Sequence, residues 1–324
     1  MTPAQILERI PSCKVLVVGD ICLDRWCTYD PALAEPSRET GIGRVAVVST
    51  EVTAGAGGTV ANNLAALGAG RIMVLGAVGN DGYGFELRQA LARVGVDDSL
   101  LVPTPGATFT YTKLLNKLTG EEDLGRIDFL APPPPPENER EIVERLMDTA
   151  RSFDAVIVAD QSETETGGVV TAGVRQALAA LAGAHPSLLI WVDSRLRPEL
   201  FRKVVVKPNE REAREACARL GAADFRGLHA VVGHPLMMIT HGGDGVLIFE
   251  GDREEWVRTR PVPNPVDICG AGDSFSAGAV LALAAGASPA EAARFGNLVA
   301  SVTIMKKGTG TASPAEVLDA EMRL

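Results

Sequence analysis

The chain has 324 residues, 46% of them hydrophobic and 22% charged, which is enough apolar material for a large core and excludes wholesale disorder. Lys and Arg number 31 against 41 Asp and Glu, giving a net charge of −10. Neither nucleic acid nor an anionic membrane surface is therefore expected as the main partner, although a local basic pocket for a nucleotide is compatible with that balance.

Five cysteines without a C-x-x-C pair and four isolated histidines lend little support to a zinc site or a Ser-His-Asp triad. No basic leader with an apolar core opens the chain. Its longest apolar candidate, Ala277 to Ala287, falls short of the roughly 18 residues that mark a membrane span, so a reduced, cytoplasmic protein is expected.

The β-branched run 14–18 reads as a buried strand that closes on Gly19-Asp20 and delivers a loop at its C-terminal end. Residues 21–29 carry Asp24 and Arg25 among bulky groups, and 44–53 reads as one or two further strands. The segment Ala54 to Gly58 is predicted to be a Gly-rich loop opening into an Ala/Asn/Leu helix over 59–67, with Asn62 and Asn63 in its first turns. A strand at 71–78, a helix at 82–94 and a short strand at 100–102 follow. Residues 108–116 and 125–129 are expected to pair across the loop 117–124. The run Pro132 to Pro136 reads as polyproline-like, mobile or laid along a surface, and separates this material from a helix at 137–152.

From there the alternation is regular. A strand at 155–159 ends on Asp160 and precedes a helix at 169–182, and a strand at 188–192 ends on Asp193. A strand at 204–206 ends on Lys207-Pro208-Asn209 and precedes a helix at 210–220. The strand 236–239 ends on Thr240-His241-Gly242-Gly243-Asp244-Gly245, with a return strand at 246–249. A helix at 289–305 precedes the tail Lys306-Lys307-Gly308-Thr309-Gly310. This pattern predicts an α/β fold on a doubly wound, mostly parallel sheet. Such sheets bind ligands at the C-terminal ends of their strands, and Asp24, Asp160, Asp193, Asn209, Thr240 and Asp273 all follow predicted strands. They would share one rim.

The most informative stretch is Val266-Asp267-Ile268-Cys269-Gly270-Ala271-Gly272-Asp273-Ser274-Phe275, followed by an Ala-rich run expected to be helical over 276–286. Small residues at Gly270, Ala271 and Gly272 let backbone N–H groups converge on one point. At a helix N-terminus those donors and the dipole favour an anion. Asp273 beside such an anion is placed to act as a base toward a hydroxyl, the minimal equipment for phosphoryl transfer to an alcohol. A capped helix after a Gly-rich turn accounts for the same residues, and the gathering of polar residues at strand ends favours the functional reading.

Four motifs in sequence order resemble the ribokinase-like, or pfkB, carbohydrate kinase family. These are Gly57-Gly58-x-x-Ala61-Asn62, Lys207-Pro208-Asn209-Glu210-Arg211-Glu212, Ile239-Thr240-His241-Gly242-Gly243-Asp244-Gly245 and Asp267-x-x-Gly270-Ala271-Gly272-Asp273. Within that family the chain is most similar to the heptose 7-phosphate kinases, the kinase half of bifunctional heptose enzymes. Gly19-Asp20-Ile21-Cys22-Leu23-Asp24-Arg25, Thr112-Lys113-Leu114 and Gly125-Arg126-Ile127-Asp128-Phe129 carry this likeness. The chain departs from that group at Pro36 to Gly41 and at Ala159-Asp160-Gln161, both on the sugar side.

The resemblance implies a single domain over 1–324 with a small β lid inserted at approximately 21–50 and 108–130, and a homodimer formed through that lid. It implies ATP, Mg²⁺ and a potassium ion as cofactors, and a sugar or sugar phosphate as acceptor. Asp273 would be the base and the Gly270, Ala271 and Gly272 amides the anion hole. Asp24, Gly57, Gly58, Asn62 and Asp160 would meet the sugar, and Lys113 and Arg126 its phosphate. Asn209, Thr240, Gly242, Gly245 and Asn297 would line the nucleotide, Glu212 would hold Mg²⁺ through water, and Asp267 the monovalent cation. Solvated strand charges remain an equal account of Lys113 and Arg126, and a capping role an equal account of Asp160. A nucleoside kinase of the same fold, or a catalytically silent nucleotide- or sugar-binding regulator, stays open as an alternative.

Overall fold

In this computed structural model, which describes residues 1–130, 132–164 and 166–323, eight strands form the main sheet. Their spatial order is Arg253–Val257, Val246–Glu250, Leu236–Thr240, Val205–Val206, Leu189–Ser194, Ala155–Asp160, Lys14–Gly19 and Arg71–Leu75. The six strands from Leu236–Thr240 to Arg71–Leu75 run parallel, and at the other edge Val246–Glu250 pairs antiparallel with both Leu236–Thr240 and Arg253–Val257. The doubly wound, mostly parallel sheet predicted above is what forms.

The sheet is buried on both faces, and the side chains of one strand show why. In Lys14–Gly19, Val15 and Val17 enter a core shared with the helices Gly57–Ala66, Ala271–Ala284 and Pro289–Thr303. Leu16 and Val18 enter the opposite core, shared with Pro136–Thr149, Ala172–Ala184, Glu210–Leu220 and Phe225–Val232. A strand apolar at every position after its exposed first lysine is what two covered faces require.

A second sheet of four strands, in the order Val47–Ala56, Ile21–Tyr29, Thr110–Asn116 and Ile127–Phe129, stands at the end of the main one. Ile21–Tyr29 pairs antiparallel with Val47–Ala56 and parallel with Thr110–Asn116. The expected pairing of 108–116 with 125–129 is present as an antiparallel ladder, Tyr111 facing Asp128. The polyproline run lies along the surface at the sheet end, with Pro134 buried and Pro132 to Pro135 walling a hollow beside Asp20.

Three local expectations change. The strand predicted at 71–78 breaks at Gly76, where a Cβ would lie 2.4 Å from the Gly19 carbonyl oxygen. Arg71–Leu75 stays in the main sheet, while Ala77–Gly79 pairs with Val102–Thr104. The segment 54–58 is not a loop: the strand runs to Ala56 and the helix begins at Gly57, with Ala56 at φ 52° making the joint. The Ala-rich helix begins at Ala271 rather than 276, so Asp273 belongs to its first turn. Pro3–Arg9, Phe225–Val232, Arg253–Val257 and Pro314–Arg323 are additional elements. The third of these is an edge strand with a mostly exposed Arg-Glu-Glu-Trp sequence, which carries no alternating apolar signal.

Candidate active site

The Asp273 turn is built by close backbone ties. Val266 and Asp267 N–H groups both donate to the Ile304 carbonyl, at 2.9 and 3.1 Å. The Asp267 carboxylate then accepts from Cys269 N (2.9 Å) through one oxygen and from Gly308 N (3.1 Å) through the other. Gly270 takes φ 77°, a left-handed conformation that glycine adopts without a Cβ penalty, and the helix Ala271–Ala284 starts from it. Buried Ser274 fixes the turn by bonding to the Gly270 and Ala271 carbonyls and to Thr303 Oγ1.

One member of the expected anion hole is engaged elsewhere. Ala271 N–H donates to the Ile268 carbonyl at 3.2 Å. Among the described residues, the Gly270, Gly272 and Asp273 amides make no backbone bond, so the open set is 270, 272 and 273.

Asp273 faces a cleft whose opposite wall is the second sheet. Asp24, Arg25, Trp26, Tyr111, Lys113 and Arg126 line that wall, and Gln161, Arg195 and Thr309 close the sides. Asp24 sits mid-strand, opposite Thr53 and Tyr111. Its carboxylate lies over Gly55, where a Cβ would come within 2.3 Å of it, and accepts a 3.6 Å bond from Cys22 Sγ. Burial pushes Asp24 up to about 6. Lys113 lies 3.7 Å from Glu122, while Arg126 pairs with Asp128 and stacks 4.6 Å above the Tyr111 ring.

Burial, with Asp193 adding like charge, pushes Asp273 up to about 7, while Lys207 and Arg195 act in the opposite sense. Lys207 is almost wholly buried and pairs with Asp193 at 2.6 Å. Burial alone would lower its proton affinity, but Asp193 and Glu212 outweigh burial and leave it raised. A Cβ on Gly272 would sit 3.3 Å from the Lys207 ammonium. That charge therefore stands beside the open amides. Glu212 is also raised, by burial and then by Asp193, and its carboxylate accepts from Asn209 N at 2.8 Å.

The remaining expected residues divide. Asn209 and Glu212 cap each other at the start of Glu210–Leu220, and Asn209 bridges to Thr240. Gly245, at φ 108°, is pressed against Val257–Thr259, where a Cβ would lie 2.2 Å from the Val257 oxygen, and Gly242 opens the same turn at φ 56°. Asn297 lines a hollow with Arg258, Thr259 and Arg294, and of the other three residues Gly245 meets that same segment at Arg258 and Thr259, while Thr240 and Gly242 do not line the hollow.

Asp160 does not reach the cleft: it is 0% exposed, bonded to Ser194 Oγ (2.6 Å) and paired with Arg197 (3.1 Å). Asn62 turns toward the second sheet, donating to Thr53 Oγ1 and the Ala54 carbonyl. Gly57 and Gly58 are buried packing positions rather than an open cradle. A Cβ on Gly58 would come 2.5 Å from that of Ala54, and one on Gly57 would come 2.6 Å from Ile21 Cδ1.

Arg195, Tyr111, Trp26, Gln161 and Thr309 join the cleft without having been singled out as site residues. Arg195 had a usable signal, lying two residues past the strand-end Asp193. Among the described residues no group of three His, Cys, Asp or Glu side chains is placed to grip a metal alone. Glu212 and Asp193 offer the carboxylates near the open amides. A magnesium ion held there would draw most of its ligands from water and phosphate, as that ion prefers.

The family model described as pfkB family carbohydrate kinase matches residues 13–316. The chain is 30% identical over 328 residues to the bifunctional protein HldE of Pelobacter propionicus, a match covering 97% of this chain and 64% of that protein. It is likewise 30% identical over 333 residues to HldE of Caulobacter sp., covering 98% and 64%. The chain thus spans about 64% of the length of these curated relatives. Among solved structures, a ribokinase from Thermotoga maritima superposes with a TM-score of 0.71 at 19% identity, over 96% of this chain and 99% of that one. Phosphofructokinase-2 from Escherichia coli, in complex with potassium, gives 0.73 at 19% identity with the same coverage. At that identity the likeness is one of fold.

Proposed function

The chain belongs to the pfkB family of carbohydrate kinases, and from that premise we propose that it transfers the γ-phosphoryl group of ATP to a hydroxyl of a sugar phosphate of the heptose 7-phosphate type. The observation that carries this reading is one cleft in which Asp273, on a helix turn with open amides, faces Asp24 and a set of cationic side chains.

In this reading the acceptor lies between Asp24 and Asp273. Asp24 accepts hydrogen bonds from sugar hydroxyls as a carboxylate does. The attacking hydroxyl donates to Asp273. As its oxygen bonds to the γ-phosphorus, the proton passes to Asp273 and the bond to the bridging oxygen breaks, its electron pair leaving with ADP. The Gly270, Gly272 and Asp273 amides, with Lys207 and Arg195, meet the charge spread over the transferring oxygens. Magnesium supplies charge neutralisation of the nucleotide phosphates, and Glu212 is the residue assigned to its waters.

Lys113 and Arg126 are assigned to the acceptor phosphate. Both already have a carboxylate neighbour, Glu122 and Asp128, that an incoming phosphate would displace or share. The HldE relatives are named bifunctional, and their likeness supports the heptose assignment. Potassium is assigned to the loop that Asp267 closes, since its carboxylate ties both sides of that loop together. The second sheet is assigned as a lid and as a homodimer surface. Val47 to Glu51 is exposed on both faces of its strand, and Ile127 and Phe129 are exposed on the edge strand.

ADP release with ATP, Mg²⁺ and K⁺ against heptose 7-phosphates, hexose phosphates, free sugars and nucleosides tests the proposal. Turnover confined to heptose 7-phosphates is the expected result. Turnover on nucleosides alone would move the assignment to a nucleoside kinase, and ATP binding with no turnover on any acceptor would leave a silent binding protein.

A further inference from the structure

The cleft contains an aromatic side chain that the phosphoryl-transfer reading leaves without a task. Trp26 lies on Ile21–Tyr29, between Glu51 and Lys113 in register, and lines the cleft together with Cys269, Gly270 and Thr309. Its ring rests on Gly308, where a Cβ would lie 3.3 Å from Trp26 Cζ2 and 3.7 Å from Cε2. Gly308 is buried and left-handed at φ 70°. Any side chain there would be strained and would push the indole away.

Gly308 and its neighbour hold the anion-binding turn in two ways. Gly308 N–H donates to Asp267, whose other carboxylate oxygen takes Cys269 N–H, one residue before Gly270. Thr309 touches Gly270 itself, since a Cβ there would be 3.3 Å from Thr309 Cγ2. Thr59 Cγ2 lies 3.3 Å from that same Cβ position. The space beside the left-handed residue that starts the Asp273 helix is thus filled by a methyl of the helix Gly57–Ala66 and a methyl of a segment on which the second sheet sets an indole.

We propose that Trp26 is a positioning residue for the anion-binding turn. Its contact with Gly308 holds Gly308 and Thr309 in place, and these hold Gly270 and its neighbouring amides where a transferring phosphoryl group needs them. The inference rests on the kinase reading. It adds that the acceptor wall and the phosphoryl site are mechanically joined through one side chain. A phosphoryl site fully formed only while the acceptor wall is seated favours transfer to the sugar hydroxyl over transfer to water, the discrimination that substrate-linked assembly provides.

The test needs no knowledge of the acceptor. MgADP affinity is measured on the full chain with and without aluminium fluoride, which occupies the position of the transferring phosphoryl group, in Trp26→Ala, Trp26→Phe and Thr309→Ser. Trp26→Ala is expected to leave MgADP affinity within about 2-fold while losing roughly 10-fold of the tightening that fluoride brings, as a small misplacement of a catalytic group does. Trp26→Phe, which keeps a ring on Gly308, restores part of it. Thr309→Ser removes only the methyl that touches Gly270 and gives a smaller loss in the same direction, in a variant with little reason to misfold. Once an acceptor is known, kcat should fall in Trp26→Ala with acceptor KM little changed.

Unchanged fluoride tightening in both Trp26→Ala and Thr309→Ser overturns the inference alone, as does a raised acceptor KM at constant kcat, which would make Trp26 an acceptor contact. A wild-type chain that binds no MgADP overturns the kinase reading and this inference with it.

Discussion

Two turns of this chain look alike as sequence: Gly57-Gly58 and Gly270-Ala271-Gly272 each open a helix rich in small residues. Their glycines serve different ends. At the first, a Cβ on Gly58 would overlap Ala54 at 2.5 Å, so the hydrogen permits contact between a helix and a strand. At the second, among the described residues outside its own helix, a Cβ on Gly272 would approach one atom, the Lys207 ammonium at 3.3 Å, so the hydrogen keeps a side chain away from that charge. Gly58 is shaped by an apolar neighbour packed on it, Gly272 by a charge it stands beside. A glycine motif alone does not distinguish these cases; the neighbouring atoms do.

That contrast can be broken by mutation. The largest effect is expected at the second turn from Asp273→Asn, which should retain nucleotide binding and lower turnover by roughly 10²- to 10⁴-fold, the range for a lost general base. Near-normal turnover would remove Asp273 from the role assigned to it. The same carboxyl titrates near 7 in the fold against 3.8 as its ordinary value. The native state therefore holds its proton more tightly, so this group's contribution to stability is full below pH 4 and is lost as pH rises through 7. Turnover should show an acid limb with a midpoint near 7. Asp273→Asn should be more thermostable than wild type at pH 8, and a differential scan at pH 8 and pH 4 would show whether the gain is confined to the higher value.

Next in size is Lys207→Met. It leaves the buried Asp193 without its 2.6 Å partner and should cost about 3–5 kcal/mol, read from urea unfolding. The two glycines then separate stability from turnover. Gly58→Ala should lose roughly 1–3 kcal/mol from overpacking while the folded fraction keeps its turnover. Gly272→Ala lies in helical backbone, where the roughly 0.4–1 kcal/mol gained from reduced unfolded-state entropy offsets the 3.3 Å approach of its methyl to Lys207. Its stability should change by less than that of Gly58→Ala, yet it should lose about 10-fold in turnover as the methyl crowds the open amides. A destabilised, fully active Gly272→Ala would erase the distinction between the turns. The smallest expected effect is Asp160→Asn measured on acceptor KM. Its Ser194 and Arg197 bonds predict a stability loss with KM within about 2-fold.

Much of the fold was legible because strands such as 14–19 and 155–160 are apolar at nearly every position, a pattern that two covered faces impose. The Asp273 turn was legible in part: its small residues and the helix after them follow from residue types, while the helix start at Ala271 and the engaged Ala271 amide did not. What sequence did not carry was direction. Asp160 and Asp193 both end strands, and only the tertiary neighbours decide that Arg197 draws one inward while Lys207 holds the other beside Asp273. The break at Gly76 likewise depends on an atom brought near by the fold, the Gly19 carbonyl oxygen. Trp26 was passed over because a single aromatic on a strand carries no spacing pattern, whereas Arg195 carried the signal of its place just past the strand end at Asp193.

The second sheet meets the main body through joints with almost no slack. Asp20 alone separates Lys14–Gly19 from Ile21–Tyr29, and it is stapled by amides of Gln161, Ser162 and Val169. Val47–Ala56 passes into Gly57–Ala66 with no residue between them. Neither seam can absorb a change of length, so a new acceptor range has to be written in side chains on the inner face of the sheet. For anyone transplanting this sheet between relatives, the cut points are the outer turns at 30–46 and 117–126, and a graft severed at Asp20 or Ala56 would carry its own register error into the helix that braces Gly270.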